Sequence, residues 1–342
     1  MRRTAALAVA VTVLTLGSGS VAVADTPSVT LYVTPGVSAP DVQSTARTGR
    51  TPAAALPSYE RAEEILRRGG IRKATILTPG GTYYPRKEIR WTYDPPGGEL
   101  TFAAAPGTGP VVFNGTYSTG GYFLRITSKN SNLTISGKKI EKFTTGGIRV
   151  DGKSGARVNN VTIKNNTFQK IGNKHKPGGP GYGGVHATGS SNLTITGNKF
   201  YYLENTSGPG EIHGVYLATV TNSTKITKNR FGYISGDPIR TRNDSKNNIV
   251  SDNMFWRTGA YAIFSDWRFK SESCGKGNVL KNNRYGKSYY DKRFGSGAKQ
   301  GDIPIKAILW GHDSAKKANL GGCRTAPITD KGGNRYVTSR PW

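Results

Sequence analysis

The hydrophobic and polar positions between Arg149 and Asp266 recur as rungs. Each rung has a short apolar strand, a loop, and then the pattern aliphatic-x-x-Asn-x-aromatic. Copies stand at 163–168 (Ile-Lys-Asn-Asn-Thr-Phe), 195–200, 226–231 and 250–255, with a fifth at 280–285 and an imperfect one at 135–140. The repeated asparagines, Asn166, Asn198, Asn229, Asn253 and Asn283, are 32, 31, 24 and 30 residues apart. A repeat of that length is the signature of a solenoid, in which each unit buries its apolar face against the next. β-Branched residues alternating with polar ones make the units strands. Equivalent residues then stack at the inter-strand distance of ~4.8 Å, so that aliphatic and aromatic columns fill a narrow core. The recurring Asn is expected at a turn of positive φ, with side-chain amides bonded along the stack. The predicted fold is all-β, a right-handed parallel β-helix. A β-sandwich would not produce Asn and Phe columns locked in one register.

The remaining elements fit around this ladder. Residues 58–68 read as a short amphipathic helix. Ser58 is the N-cap, Tyr59, Ala62, Ile65 and Leu66 form one apolar face, and Gly69 is the stop. It is expected to cap the open end of the solenoid. Regular coils are predicted over 122–285, and a C-terminal tail over 286–342 is expected to cover the other end. Coils need about 24 residues, so the excess in the longer repeats leaves as loops. Two such loops, 172–183 and 204–213, precede candidate strands and are expected to wall a groove. The glycines of the first suit a mobile flap.

Residues 1–24 have the pattern of a secretory signal peptide. Arg2 and Arg3 precede an apolar stretch, and Ala22-Val23-Ala24 is a small-x-small end. The mature chain, 25–342, is then expected to be one secreted domain, and no later run is long and apolar enough to span a membrane. Formal net charge is +27, of which Arg2 and Arg3 supply two. An exported protein this basic should attract polyanions; nucleic acid is disfavoured because no recognised binding module is present. Cys274 and Cys323, the only cysteines, are expected to form one disulfide tying the tail to the last coils. A zinc site lacks ligands at suitable spacing.

Aligning the rungs on their first strands exposes the candidate chemistry. If the Ile, Val and Leu positions of 147–151, 184–188, 214–218, 238–242 and 262–266 point inward, the alternation of a strand sends the others outward. One outward column is then Arg149, His186, Tyr216, Arg240 and Phe264; the next is Asp151, Thr188, Ala218, Arg242 and Asp266. His, Tyr and two Arg in consecutive rungs are more than a solvated face requires.

In its rungs, capping helix, leader and outward polar ladder, the chain resembles the pectate lyase-like superfamily of parallel β-helices, over most of its mature length. The resemblance implies a site on this sheet face. It carries no catalytic assignment, because the superfamily includes lyases, hydrolases, epimerases and adhesins, and its local signatures are missing. The paired-Asp and Gly-His-Gly motifs of polygalacturonase-type hydrolases are absent, as are those of the main pectate lyase family. The first expectation from the residues is β-elimination on a uronic-acid polysaccharide. Arg240 or Arg242 would neutralise the carboxylate, and Tyr216, His186 and His213 are the candidate base and acid. His213 lies two positions before inward Val215 and faces out only if the chain bends. Arg149, Arg242, Asp237, Asp266, Tyr261 and Trp267 are candidate substrate contacts. The alternatives are a glycoside hydrolase pairing Asp237 with Asp266, with Glu211 and Asp151 also available, and a non-catalytic polysaccharide binder using Tyr261, Trp256 and Trp267. No metal is expected, with calcium as the alternative. A monomer is expected.

Overall fold

The computed structural model describes residues 28–36, 47–129, 132–259, 261–269, 271–290, 300–303, 305–310 and 325–342. The leader at 1–24 and Cys323 lie outside the described residues. Three long sheets of ten, nine and eight strands run the length of the molecule, and all their pairings are parallel. The chain visits them in turn, from the ten-stranded to the nine-stranded to the eight-stranded sheet, once per coil. This is the parallel β-helix that the repeat predicts.

Its interior is built by the columns. Phe168, Phe200, Phe231 and Phe255 stack with centroids 4.9, 4.8 and 4.8 Å apart and nearly parallel rings. Beside them the asparagines form a continuous amide ladder: Nδ2 of Asn198 donates to Oδ1 of Asn229 at 3.0 Å, and Asn229 to Asn253 at 3.0 Å. Each ladder Oδ1 also accepts the backbone N–H of the preceding rung. The positive φ falls one residue earlier than expected, at Asn165, Lys228, Asp252 and Asn282. Those residues turn the corner, which frees the ladder Asn to point inward. Lys138 occupies the position before the first ladder Asn. It is 2% exposed, with Nζ unpartnered.

Helix α1 (Tyr59–Arg68) is capped by Ser58 and stopped at Gly69. It packs over the first coils: Tyr59 lies 5.1 Å from Phe102, and its hydroxyl meets Thr78 Oγ1 at 2.6 Å. The C-terminal segment differs from the expectation of a covering tail. Lys306–Trp310, Ile328–Asp330 and Arg335–Tyr336 each extend one of the three sheets and so make a further coil. The motif was present in Asn334-Arg335-Tyr336, and Asn334 Oδ1 accepts from Asn283 at 2.9 Å as the last amide of the ladder.

Candidate active site

The outward face of the eight-stranded sheet carries the candidate residues. Its strands are β1 (Ile89–Trp91), β2 (Tyr122–Ile126), β3 (Gly146–Asp151), β4 (Gly183–Thr188), β5 (His213–Ala218), β6 (Ile239–Arg242), β7 (Ala262–Trp267) and β8 (Lys306–Trp310). Arg149, His186, Tyr216 and Arg240 do share one register column. Arg125 precedes them in that column and Ser265 follows them.

The fifth rung corrects the sequence alignment by one residue. Phe264 pairs with Ile239 and is fully buried in the core; Asp266 pairs with Thr241 and is 1% exposed. Asp266 therefore faces inward, where Thr241 Oγ1 donates to it at 2.7 Å. Burial lifts its pKa to about 7, against the opposing pull of Thr241. Trp267 takes the outward place beside Arg242. The cause is a bend present in several rungs, where two successive residues point inward before the outward one. In β7 these are Ile263 and Phe264. In β3, β4 and β5 the first is glycine: an added Cβ on Gly147, Gly184 or Gly214 would come within 2.5–2.6 Å of a core phenylalanine.

That bend also settles His213. Gly214 and Val215 both point inward, so His213 turns onto the outer face, 5.0 Å from the Tyr216 ring. Its Nδ1 donates to the Asp237 carbonyl at 2.7 Å, which leaves Nε2 as the unprotonated ring nitrogen. Burial, followed by the Arg240 charge, holds His213 well below the usual imidazole range. His186 stacks on Tyr216 with centroids 4.9 Å apart. Its pKa is pushed down to about 3, chiefly by burial and then by Arg149. Both imidazoles are neutral at pH 7. His186 Nδ1 also bonds the Tyr122 hydroxyl at 2.7 Å, across two rungs. Tyr122 reaches it over Gly146, whose added Cβ would sit 2.5 Å from the Tyr122 ring. Tyr122 was not among the residues predicted from sequence, although a glycine opposite an aromatic is the signal that points to it.

Arg240 is not an unoccupied fork. Its Nη2 donates to Asp237 Oδ2 at 2.7 Å, Nη1 to the Gly210 carbonyl and Nε to Ser265 Oγ, while its guanidinium lies 4.5 Å from the Trp267 ring. Asp237 is fully buried and also accepts from Ser265 Oγ and the Tyr261 and Ala262 N–H groups. Arg242 is held by Glu272, with Nη2 at 2.6 Å, lies over Phe269, and gives Nη1 to the Tyr216 hydroxyl at 3.2 Å. Asp151 sits between Arg149 at 2.8 Å and Arg125 at 3.2 Å, a charge ladder along the sheet. Tyr261 and Trp267 meet at 5.3 Å on the rim.

These groups line a cleft of about 690 Å³, bounded by Tyr182, Gly208, Gly210, Glu211, His213, Tyr216, Arg240, Arg242, Tyr261, Trp267, Arg268 and Phe269. Both predicted loops do form a wall, through Tyr182 and residues 208–211. The 172–183 loop is pinned, in contrast to the flap expected from its glycines. Lys176 Nζ donates to the Gly115 and Ser118 carbonyls, His175 bonds Glu204, and Gly181 N–H donates to Asn205 Oδ1. Glu211 is the only carboxylate lining the cleft among the described residues. Among those residues, too, no three His, Cys, Asp or Glu side chains are grouped to hold a metal ion.

Comparison with known proteins bears on the fold. No curated protein matches the chain. Among solved structures, the pectate lyase Pel9A superposes with a TM-score of 0.50 at 14% identity, covering 91% of this chain and 79% of that one. An alginate lyase from Paenibacillus sp. str. FPU-7 gives a TM-score of 0.44 at 14% identity, covering 83% and 98%. The model of the right-handed β-helix region matches residues 123–300, more than half of the chain. The chain belongs to the right-handed β-helix family.

Proposed function

We propose that the protein is a secreted polysaccharide lyase that cleaves a uronic-acid-containing chain by β-elimination. One observation carries this reading: the cleft holds an unprotonated imidazole nitrogen beside a phenol, within an arginine-rich wall that has a single carboxylate among the described residues. Elimination needs a base for the proton next to the carboxylate, an acid for the departing glycosidic oxygen, and positive charge to stabilise the enolate. His213 Nε2 is in the resting state of a base. Tyr216 is the acid, and Arg242 Nη1 stabilises the charge left on its oxygen. Arg240, Arg242 and Arg268 supply the positive wall; Asp237 and Glu272 hold the first two in fixed orientation, so little reorganisation is needed on binding. Tyr182 and Trp267 offer ring faces to sugars. A two-carboxylate hydrolase is disfavoured, because Asp237 is closed into its ion pair and Asp266 faces the core. The superposed pectate lyase supports the class. The leader and a Cys274–Cys323 disulfide belong to the same extracellular reading.

The test is ultraviolet absorbance of the conjugated unsaturated uronide, with pectate, alginate, glucuronan, hyaluronan, chondroitin and heparan as substrates. A rising signal with one of them is expected, and Tyr216→Phe should lower kcat about 10²–10⁴-fold, the usual contribution of a general acid. New reducing ends without absorbance would overturn elimination in favour of hydrolysis.

A further inference from the structure

The outward face of the eight-stranded sheet accounts for little of the protein's surplus charge, since Arg125, Arg149, Arg240 and Arg242 are all ion-paired. Unpaired cations lie elsewhere, on the outward face of the nine-stranded sheet. There the register runs Lys199, Arg230, Met254, Arg284, Arg335 in one column. All four cations are exposed, and none makes an ion pair among the described residues. Each directly follows a ladder asparagine, so the buried amide stack fixes their spacing. One rung is ~4.8 Å, close to the advance of one sugar unit, and the column spans four rungs, roughly 19 Å. Lys164 and Lys228 stand exposed at the adjoining corner.

The neighbouring column is aromatic. Tyr201 lies beside Gly232, where an added Cβ would press on its ring at 3.0 Å, and Trp256 follows one rung on. Trp342 packs 6.1 Å from Tyr201 and carries the Arg340 guanidinium at 4.9 Å. Like charges on adjacent rungs, here Lys199 with Arg230 and Arg284 with Arg335, repel and destabilise a sheet. The rigid fold holds them there nevertheless, and a polyanion laid along the column would relieve the repulsion.

We propose that this column is a second, non-catalytic binding surface for a uronate polysaccharide. Its carboxylates would lie against Lys199, Arg230, Arg284 and Arg335, and its rings against Tyr201, Trp256 and Trp342. It anchors a part of the polymer away from the cleft. The choice of polymer rests on the lyase reading above.

The test is affinity electrophoresis of the full chain and its K199E/R230E/R284E variant. Gels would contain polygalacturonate or alginate, with dextran as the neutral control, over a sodium chloride series. The parent protein should be retarded by an acidic polysaccharide and not by dextran. The variant should bind at least tenfold more weakly, with a log K against log salt slope shallower by about 2–3, given roughly 0.7–0.9 per neutralised charge on a polyanion. Parental affinity and slope in the variant would overturn the proposal. So would parental binding to double-stranded DNA or phosphatidylglycerol vesicles that exceeds binding to every acidic polysaccharide and vanishes in the variant. Retardation is read without turnover, so variant-sensitive binding alongside a silent absorbance assay would remove the lyase reading and leave this surface standing.

Discussion

Arg240 can be read either as a substrate clamp or as a strut, and Arg240→Ala separates the two. The Arg240 side chain is 11% exposed and Asp237 is fully buried. Replacement by alanine removes the Nη2 donor at 2.7 Å from Asp237 and the donor to the Gly210 carbonyl, and it abandons the contact with Trp267. Asp237 keeps Ser265 Oγ and two backbone N–H groups, but its charge loses its counter-ion. Breaking a buried ion pair from one side costs about 3–5 kcal/mol. Urea denaturation of the variant should therefore show a loss of that size. A second variant, Arg240→Met with Asp237→Asn, removes both charges, while the amide oxygen can still accept the Tyr261 and Ala262 N–H groups. It should recover about 2 kcal/mol or more of the loss, since neutral replacement of buried pairs is often tolerated. An Arg240→Ala protein with the parental urea midpoint and no turnover would refute the strut and make Arg240 a group that acts on substrate alone.

Two further outcomes follow from buried titratable groups. Burial lowers Lys138 from 10.5 to about 7, a penalty on the order of 5 kcal/mol that is complete below pH 7 and fades as the pH rises towards 10.5. Lys138→Met should accordingly be the more stable protein in urea at pH 6, by several kcal/mol, with the gap closing by pH 10; equal midpoints at pH 6 would contradict an unpartnered buried ammonium. Because His213 is depressed by burial and Arg240, it remains unprotonated as the pH falls through the ordinary imidazole range. The kcat/KM profile should then lack an acid limb at pH 6–7, and a limb there would assign proton abstraction to a different group.

The column of Arg149, His186, Tyr216 and Arg240 was legible because glycine or proline followed by one aliphatic residue marks the same point in four rungs. In β7 that point is Ile263, and with no glycine to announce the double inward turn, strict alternation placed Phe264 and Asp266 on the wrong face. The coils were legible from Asn and Phe spacing, whereas Asn334-Arg335-Tyr336 was passed over as tail because a spacer far longer than the other repeats separates it from Asn283. Tyr122 and Glu272 were harder. The Tyr122 contact spans 64 residues across two rungs, and Glu272 reaches Arg242 from a loop that no repeat governs.

What the sequence pattern cannot carry is which charges are already spent. A basic residue at 240 or 242 and at 199, 230 or 284 looks alike in a repeat, because each is simply an outward cation. The difference arises from what the coil brings alongside. On the eight-stranded sheet, loops and neighbouring rungs deliver Asp237, Asp151, Glu88 and Glu272, and every arginine in the column is neutralised and immobilised. On the nine-stranded sheet, the ladder delivers another cation at nearly every rung and, among the described residues, no acid to the exposed row. The first arrangement suits chemistry, where oriented dipoles matter more than net charge. The second suits capture, where unscreened charge sets the encounter rate and the salt dependence. One repeat thus builds two unlike surfaces, and the partition follows from side chains that interrupt the repeat.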